Sequence, residues 1–419
     1  MNIKRIKVTN FKSFKNLDIE LGKFNVLIGA NASGKSNFVH IFKFLRDIAN
    51  SGLDNAVSMQ GGVEYLQNIN IGASENLSIK ISSTREFGFG LERSGKTGRG
   101  IIGIETYETM YEFELRFYKR GSGFKIAKDK LTLNSKFLRL EREKGKIKEV
   151  ETLGNGEIAI SRSNGRVKII LNIPKDIPLR KEEIFPPFLR EEKLPSNKLL
   201  LETPYFLIPF PIRKIFNDIS IYDFDPRLPK KAYPITGKAE LEENGENLSI
   251  ILKNILQSKE KRRKLFNLVK ELLPFVENLD VEKFADKSLL FKLKETYFRN
   301  QYLPASLISD GTINITALII ALYFEKKPLI VIEEPERNIH PYLISKVVDM
   351  MKDASQKKQI IVTTHNPEIV KYAGLENILL ISRDENGFSI VSRPVDKEEV
   401  KTFLKNNIGI EELYIQNLL

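Results

Sequence analysis

The chain of 419 residues contains no cysteine at all. A disulfide framework, a thiolate zinc site, an iron–sulfur cluster and a cysteine nucleophile are therefore excluded. Histidine is nearly absent as well: His40, His340 and His365 are the three in the chain, too few and too scattered for a multi-histidine metal site. No apolar run approaches the roughly 20 residues a bilayer core requires. The longest, Ile315 to Phe324, is about half of that. The opening MNIKRIKVTNFKSF is basic but lacks a following apolar stretch, so it does not read as a secretory leader. These absences lead us to expect a cytoplasmic protein with no membrane partner. What is present is a 42% hydrophobic, 29% charged chain, enough to bury a core. Lys and Arg number 66 against 54 Asp and Glu, a net charge of +12 that favours polyanionic partners without fixing a fold.

Hydrophobic periodicity predicts two alternating strands within residues 1–21, then a short buried run from Phe24 to Ile28. A glycine-broken turn follows, and Phe38, Ile41, Phe42, Leu45 and Ile48 then recur at helical spacing. From Leu77 to about Ile173 the period is two, with glycine and asparagine between runs, as expected for antiparallel strands. Residues 174–236 are proline-rich and suit an irregular or helical insert. Helical spacing returns from Asn247 to about Val276, and helix–strand alternation runs to about Val391. The expected organisation is an N-terminal lobe over 1–173, an inserted segment over 174–285 and a C-terminal lobe over 286–419. The βα pattern at both ends predicts one α/β nucleotide-binding unit assembled from the two termini.

The segment Gly29-Ala30-Asn31-Ala32-Ser33-Gly34-Lys35-Ser36, with Asn37 next, fits G-x-x-x-x-G-K-S/T in full. A buried strand precedes it and a helix follows. That order lets backbone N–H groups curl around phosphates at a helix start, with Lys35 on the β- and γ-phosphates and the Ser36 hydroxyl on Mg²⁺. The plainer reading is a glycine turn before a helix. Far downstream, Leu329-Ile-Val-Ile332 is a buried strand ending in Glu333, Glu334 and Pro335, where Mg²⁺ and an attacking water would sit beside a phosphate loop. Alone it could be a strand running into an acidic turn. Ser309-Asp310-Gly311-Thr312 opens an apolar helix; it is either an N-cap or a second phosphate-binding helix start, with Ser309 and the Gly311 amide as donors. Ile360 to Thr364 is a further buried strand, ending in His365. It would lie next to the Glu333–Glu334 strand, where His365 could reach a γ-phosphate.

Taken together, phosphate loop, S-D-G-T, a strand ending in E-E-P-E and T-T-H-N-P resemble the ABC-type ATPases. Within them the chain is similar to the soluble branch containing RecF, the SMC proteins and the OLD ATPases. Val8-Thr9-Asn10-Phe11-Lys12-Ser13-Phe14 resembles the N-F-R/K-S-F opening of that branch, as does N-I-H-P at 338–341. Glu243-Asn-Gly-Glu-Asn247-Leu resembles the OLD-related group. The resemblance implies a P-loop α/β fold, an ABC-ATPase head with ATP and Mg²⁺ as cofactors. It implies that Gly29, Asn31, Ala32, Ser33, Gly34, Lys35, Ser36, Asn37 and Lys12 bind nucleotide. It puts Glu333 in the Walker B place, Glu334 in the catalytic place and His365 in the switch place. Ser309 and Gly311 would meet the γ-phosphate of ATP on a second copy, and His340 falls at the dimer seam. The glutamine of the family's Q-loop, on the metal side, has two candidates, Gln60 first and Gln67 second.

Two departures stand out. Glu333 occupies a place where transporters carry Asp, and the signature lacks L-S-G-G-Q, which argues against a transporter subunit. About 55 residues follow His365, too few for the Toprim nuclease domain of OLD nucleases, and no heptad run suggests SMC-length coiled coils. The expectation is a stand-alone ATPase that dimerises on ATP and acts in DNA repair or anti-phage defence, with DNA, an effector protein or both. The contrasting expectation is a scaffold that uses its ATP state to hold an effector without touching DNA. Residues 116–148 carry 12 Lys or Arg against three acids, and Lys259-Glu-Lys-Arg-Arg-Lys264 forms a second cluster. Each is either a phosphate-backbone contact or a solvated face of a Lys-rich chain.

Overall fold

The computed structural model describes residues 2–419 apart from 85–86, 96–97, 120–122, 144–145, 164, 176, 178, 181–182, 184–192, 204–211, 285–286, 299–300, 406–407 and 417. The chain divides into two compact units that interleave along the sequence. One comprises 1–22, 37–218 and 383–391; the other comprises 23–36, 219–382 and 392–419. The three successive segments expected at 1–173, 174–285 and 286–419 therefore cut across the compact units.

The first unit is built on an antiparallel sheet. Asn2–Phe11 pairs with Phe14–Glu20 on one side and Leu77–Thr84 on the other, and the order continues through Gly98–Phe117, Phe124–Glu143, Lys146–Ser163 and Arg166–Asn172. Phe87–Gly95 pairs separately with Gly98–Phe117. The alternation read between Leu77 and Ile173 follows from this sheet, since a half-buried strand shows one apolar face. The helix Lys35–Ser51 buries Phe38, Ile41, Phe42, Leu45 and Ile48 as its spacing predicts, and Phe44 besides. The Phe44 ring sits between those of Phe11 and Phe113, at 6.0 and 6.5 Å. Ser13 Oγ bonds Ser389 Oγ at 2.8 Å, so a hairpin from the far end of the chain returns to this unit.

A buried carboxylate fastens the proline-rich stretch in place. Asp129 Oδ1 accepts from the Tyr111 hydroxyl at 2.8 Å and Oδ2 from the Leu200 N–H at 2.7 Å. Arg162 donates to the Lys198 and Pro195 carbonyls at 2.7 and 2.8 Å. Burial pushes the Asp129 carboxyl up to about 7, against the Leu200 and Tyr111 hydrogen bonds that favour its ionised form. The folded state thus holds this proton more tightly than the unfolded chain does. The associated stability is complete below about pH 4 and is lost as pH rises towards 7. The thermal midpoint of the wild type is expected to fall more between pH 5 and 7.5 than that of Asp129→Asn. Equal falls in a melting series would remove this assignment.

The second unit holds a parallel sheet ordered Ile219–Tyr222, Leu329–Glu333, Gln359–Thr364, Phe24–Ile28 and Ile378–Arg383. Its central strands are buried on both faces and read as mostly apolar runs, as parallel strands do. Asp310–Tyr323 is buried almost all round, its Leu318 and Ile320 sharing one core with Val347 and Met351. A smaller antiparallel sheet contains Val276–Phe284 and Ser288–Glu295. The region 174–285 is consequently not one insert. Ile219–Tyr222 is an edge strand of the parallel sheet, Leu248–Leu256 and Lys259–Leu272 are helices, and Val276–Phe284 belongs to the small sheet. The parts of the expected insert at 184–192 and 204–211 lie outside the described residues. Among the described residues no helix is long and apolar enough to cross a membrane.

Candidate functional site

Register brings the motif-bearing ends of three strands together. Glu333 pairs with Thr363, and Thr364 pairs with Ile28. The residues that follow are Glu334, His365 and Gly29, at the carboxyl end of a parallel sheet, where such folds bind ligands. The strand ending at Thr364 lies between the other two, so His365 emerges between the phosphate loop and the acids.

The loop has the backbone its sequence requires. Gly34 has φ 118° and Ala32 φ 60°, the left-handed region that glycine enters freely and alanine at a cost. A Cβ on Gly29 would lie 2.3 Å from the Ile381 carbonyl oxygen, so only glycine fits there. Lys35 Nζ donates to the Gly29 and Ala30 carbonyls at 2.7 and 3.0 Å. Burial lowers the Lys35 pKa, and the nearby charges of Glu334 and Glu336 partly oppose that fall. Ser36 Oγ donates to Glu333 Oε2 at 3.4 Å. A hydroxyl beside a carboxylate is a hard oxygen pair that suits Mg²⁺ completed by water and phosphate oxygens. Among the described residues no group of three or more acids or histidines could hold a metal ion, so an ion here would depend on nucleotide oxygens as well. The donor set fits a magnesium nucleotide.

Glu334 stands at the end of its strand with φ 43°. Its N–H donates to the Thr363 carbonyl at 2.9 Å. His365 Nδ1 lies 3.0 Å from Oε1, and Arg337 donates to Oε2 at 3.2 Å. Burial raises the Glu334 pKa, but Arg337 and His365 together outweigh it and leave it below the ordinary glutamate value. Glu336 is buried and accepts from the Thr364 hydroxyl through one oxygen. Its other oxygen has no hydrogen-bond partner among the described residues, and burial holds this acid up. Thr364 Oγ1 also accepts from the Asn366 N–H at 2.9 Å, which fixes the turn carrying His365. Motif reading missed Glu336, Arg337 and Thr364 as parts of the site. Their signal was only adjacency to Glu334 and His365.

Ser309 caps Asp310–Tyr323 by accepting from the Thr312 N–H at 3.2 Å, the local role its sequence permits. Asp310 pairs with Lys230. A Cβ on Gly311 would lie 2.5 Å from the Asn338 carbonyl oxygen, so glycine lets this helix start press on the turn after the acids. Asn314 Nδ2 donates to the Arg337 carbonyl at 2.7 Å across the same contact. His340 Nδ1 accepts from the Tyr342 N–H at 3.4 Å.

Lys12, Asn37, Gln60 and Gln67 belong to the first unit. Lys12, Asn37 and Gln67 line a cavity of about 400 Å³ with Ser13 and Arg383. Lys12 has φ 48°, donates to the Tyr65 carbonyl at 3.4 Å and has its pKa lowered by burial. Asn37 donates to Ser13 Oγ at 2.8 Å. Gln60 is buried with Oε1 3.0 Å from His40 Nδ1, so its acceptor is taken. Gln67 Oε1 is buried without a hydrogen-bond partner among the described residues.

A family model described as "AAA domain, putative AbiEii toxin, Type IV TA system" matches residues 24–371, from the phosphate-loop strand to beyond His365. The chain belongs to this family of AAA-type P-loop ATPase domains. No curated protein matches the chain. Among solved structures it is similar to an SMC head bound to the C-terminal winged-helix domain of ScpA, at 15% identity over 94% of this chain and 98% of that one, TM-score 0.48. It is also similar to an SMC head with extended coiled coil bound to the C-terminal domain of ScpA, from Pyrococcus furiosus, at 15% identity, 97% and 99% coverage and TM-score 0.46. An SMC head domain from Thermotoga maritima gives 13% identity, 94% and 99% coverage and TM-score 0.39. Overlap this loose adds nothing to the family assignment. The assignment and the parallel sheet with its phosphate loop agree with the P-loop α/β fold expected from the motifs.

Proposed function

We propose that this protein binds and hydrolyses ATP, and that ATP joins two copies of the chain. The observation that carries the reading is the convergence of phosphate loop, Glu333, Glu334 and His365 at one end of a parallel sheet. Lys35 and the loop amides hold the phosphates. Magnesium held by Ser36 and Glu333 would supply the charge that neutralises them. Glu334 polarises the attacking water and accepts its proton, and His365 steadies that carboxylate while facing the γ-phosphate. Ser309 and the Gly311 amide serve the nucleotide of the second copy, with His340 at the seam between them. Hydrolysis to ADP and phosphate removes the shared γ-phosphate and releases the pair.

DNA repair or anti-phage defence, with DNA, an effector protein or both, is the wider role we propose. The basic ribbon lends DNA less support than its composition suggested. Lys128 pairs with Glu112, Lys136 with Glu149, Arg139 with Glu151 and Lys148 with Glu143, so much of its charge is met across strands. Arg116 faces Lys125 at the hairpin end. These two and Lys119 make no ion pair among the described residues, while Arg120 and Lys144 lie outside them. That cross-strand pairing favours the second reading, an ATP-switched scaffold for an effector protein.

One experiment separates these arms: phosphate release measured across protein concentration, with and without duplex DNA. Specific activity should rise with protein concentration, because a shared site needs two copies. A flat profile would count against pairing. Stimulation by DNA that disappears in an Arg116, Lys119 and Lys125 triple-to-Ala variant selects the DNA arm; indifference to DNA selects the scaffold.

A further inference from the structure

The turn Glu243-Asn-Gly-Glu-Asn247, given no chemical role by the motifs, connects to Glu334 through two residues, Asp223 and Arg337. Asn247 is fully buried, accepts from the Glu242 N–H at 2.9 Å and donates to the Glu240 carbonyl at 2.8 Å. Gly245 takes φ 78°, which lets the chain reverse. The Glu243 and Asn244 carbonyls then accept from the Asp223 and Asp225 N–H groups at 2.9 and 3.1 Å. Asp223, directly after the edge strand Ile219–Tyr222, is thereby fixed. Arg337 Nη1 donates to Asp223 Oδ1 at 2.9 Å and to the Phe224 carbonyl at 3.3 Å. Its other arm reaches Glu334 Oε2 at 3.2 Å.

We propose that Arg337, anchored through Asp223 on this turn, is a positioning residue for Glu334. The inference rests on the reading of Glu334 as the group that polarises water. The Glu334 side chain is 30% exposed and its backbone is in the left-handed region. Without lateral restraint, its carboxylate would turn among solvent-facing rotamers. His365 holds one oxygen and Arg337 the other. A guanidinium can span two carboxylates with separate N–H groups in one plane, whereas an ammonium offers a single point of charge. Asp223 balances the second half of that charge and fixes the direction from which it approaches. The positioning therefore starts from a turn some 90 residues earlier in the chain, and needs no contact between Arg337 and nucleotide.

The test compares Arg337→Ala, Arg337→Lys and Asp223→Asn with wild type and with Glu334→Gln, measuring kcat, KM, ATP affinity and thermal midpoint. Arg337→Ala should lower kcat about 10- to 100-fold, the scale of a small misplacement of a reacting group. KM and affinity should stay within about twofold, because only turnover is affected. Arg337→Lys should recover part of the loss, and Asp223→Asn should lose less than Arg337→Ala. If Arg337→Ala does not fold, the other two variants decide by the same kcat criterion. A kcat unchanged or raised in these variants, with Glu334→Gln inactive, would overturn the positioning role while leaving Glu334 in place. Wild-type turnover by Glu334→Gln would overturn both.

Discussion

Glu334→Gln should bind ATP as the wild type does and hydrolyse it about 10²- to 10⁴-fold more slowly, the range a positioned general base contributes. The substitution keeps the side chain's length and an oxygen for Arg337, and removes the basic carboxylate. Every local feature concentrates on this group. It follows the buried strand Leu329–Glu333, and its backbone is pinned to Thr363 at 2.9 Å. Its two oxygens are taken by His365 and Arg337 at 3.0 and 3.2 Å. Phosphate release and fluorescent-nucleotide titration on the same preparation check the split between turnover and binding. Turnover within tenfold of wild type would show that another group polarises the water. Lost affinity would move Glu334 from chemistry to binding.

Lys35→Ala should instead fail at binding. The ammonium rests on the Gly29 and Ala30 carbonyls, ready to exchange those two neutral acceptors for phosphate oxygens. Hydrogen bonds involving charged partners are worth about 1.5–3 kcal/mol each, so losing two should weaken ATP binding about a hundredfold or more. Lys35→Arg should not restore it, because the planar fork is too broad for a loop whose Gly29 already touches Ile381. The fold should survive, since removing a half-buried cation also removes its desolvation cost. Calorimetric titration with ATP and a thermal melt together test this. ATP binding within tenfold of wild type would contradict the role given to Lys35.

Much of this site was legible because its parts are contiguous. G-x-x-x-x-G-K-S needs eight consecutive residues, and each buried strand declares itself by an apolar run before the functional residue. The expectation that the His365 strand lies beside the Glu333 strand is what the sheet has. What escaped reading depends on contacts between distant residues. Ile219–Tyr222 is four residues long, and nothing within it announces a partner 110 residues away at Leu329. Nothing in the sequence around Arg337 signals Asp223, 114 residues earlier, as its partner. The neutralisation of the ribbon's charge is hidden for the same reason: Lys136 and Glu149 become neighbours only once register is known. The contact of His40 Nδ1 with Gln60 Oε1 at 3.0 Å joins residues on two different helical segments and is equally silent in the sequence. The interleaved units reflect closure over long loops, as between Ser13 and Ser389.

Solution mass by light scattering of Glu334→Gln, in Mg-ATP and in Mg-ADP, tests the central claim most directly. A variant that binds ATP without turning it over should accumulate the paired state, so a mass near twice that of the 48.1 kDa chain is expected with ATP and not with ADP. The same mass in both nucleotides would contradict ATP-gated pairing of this chain.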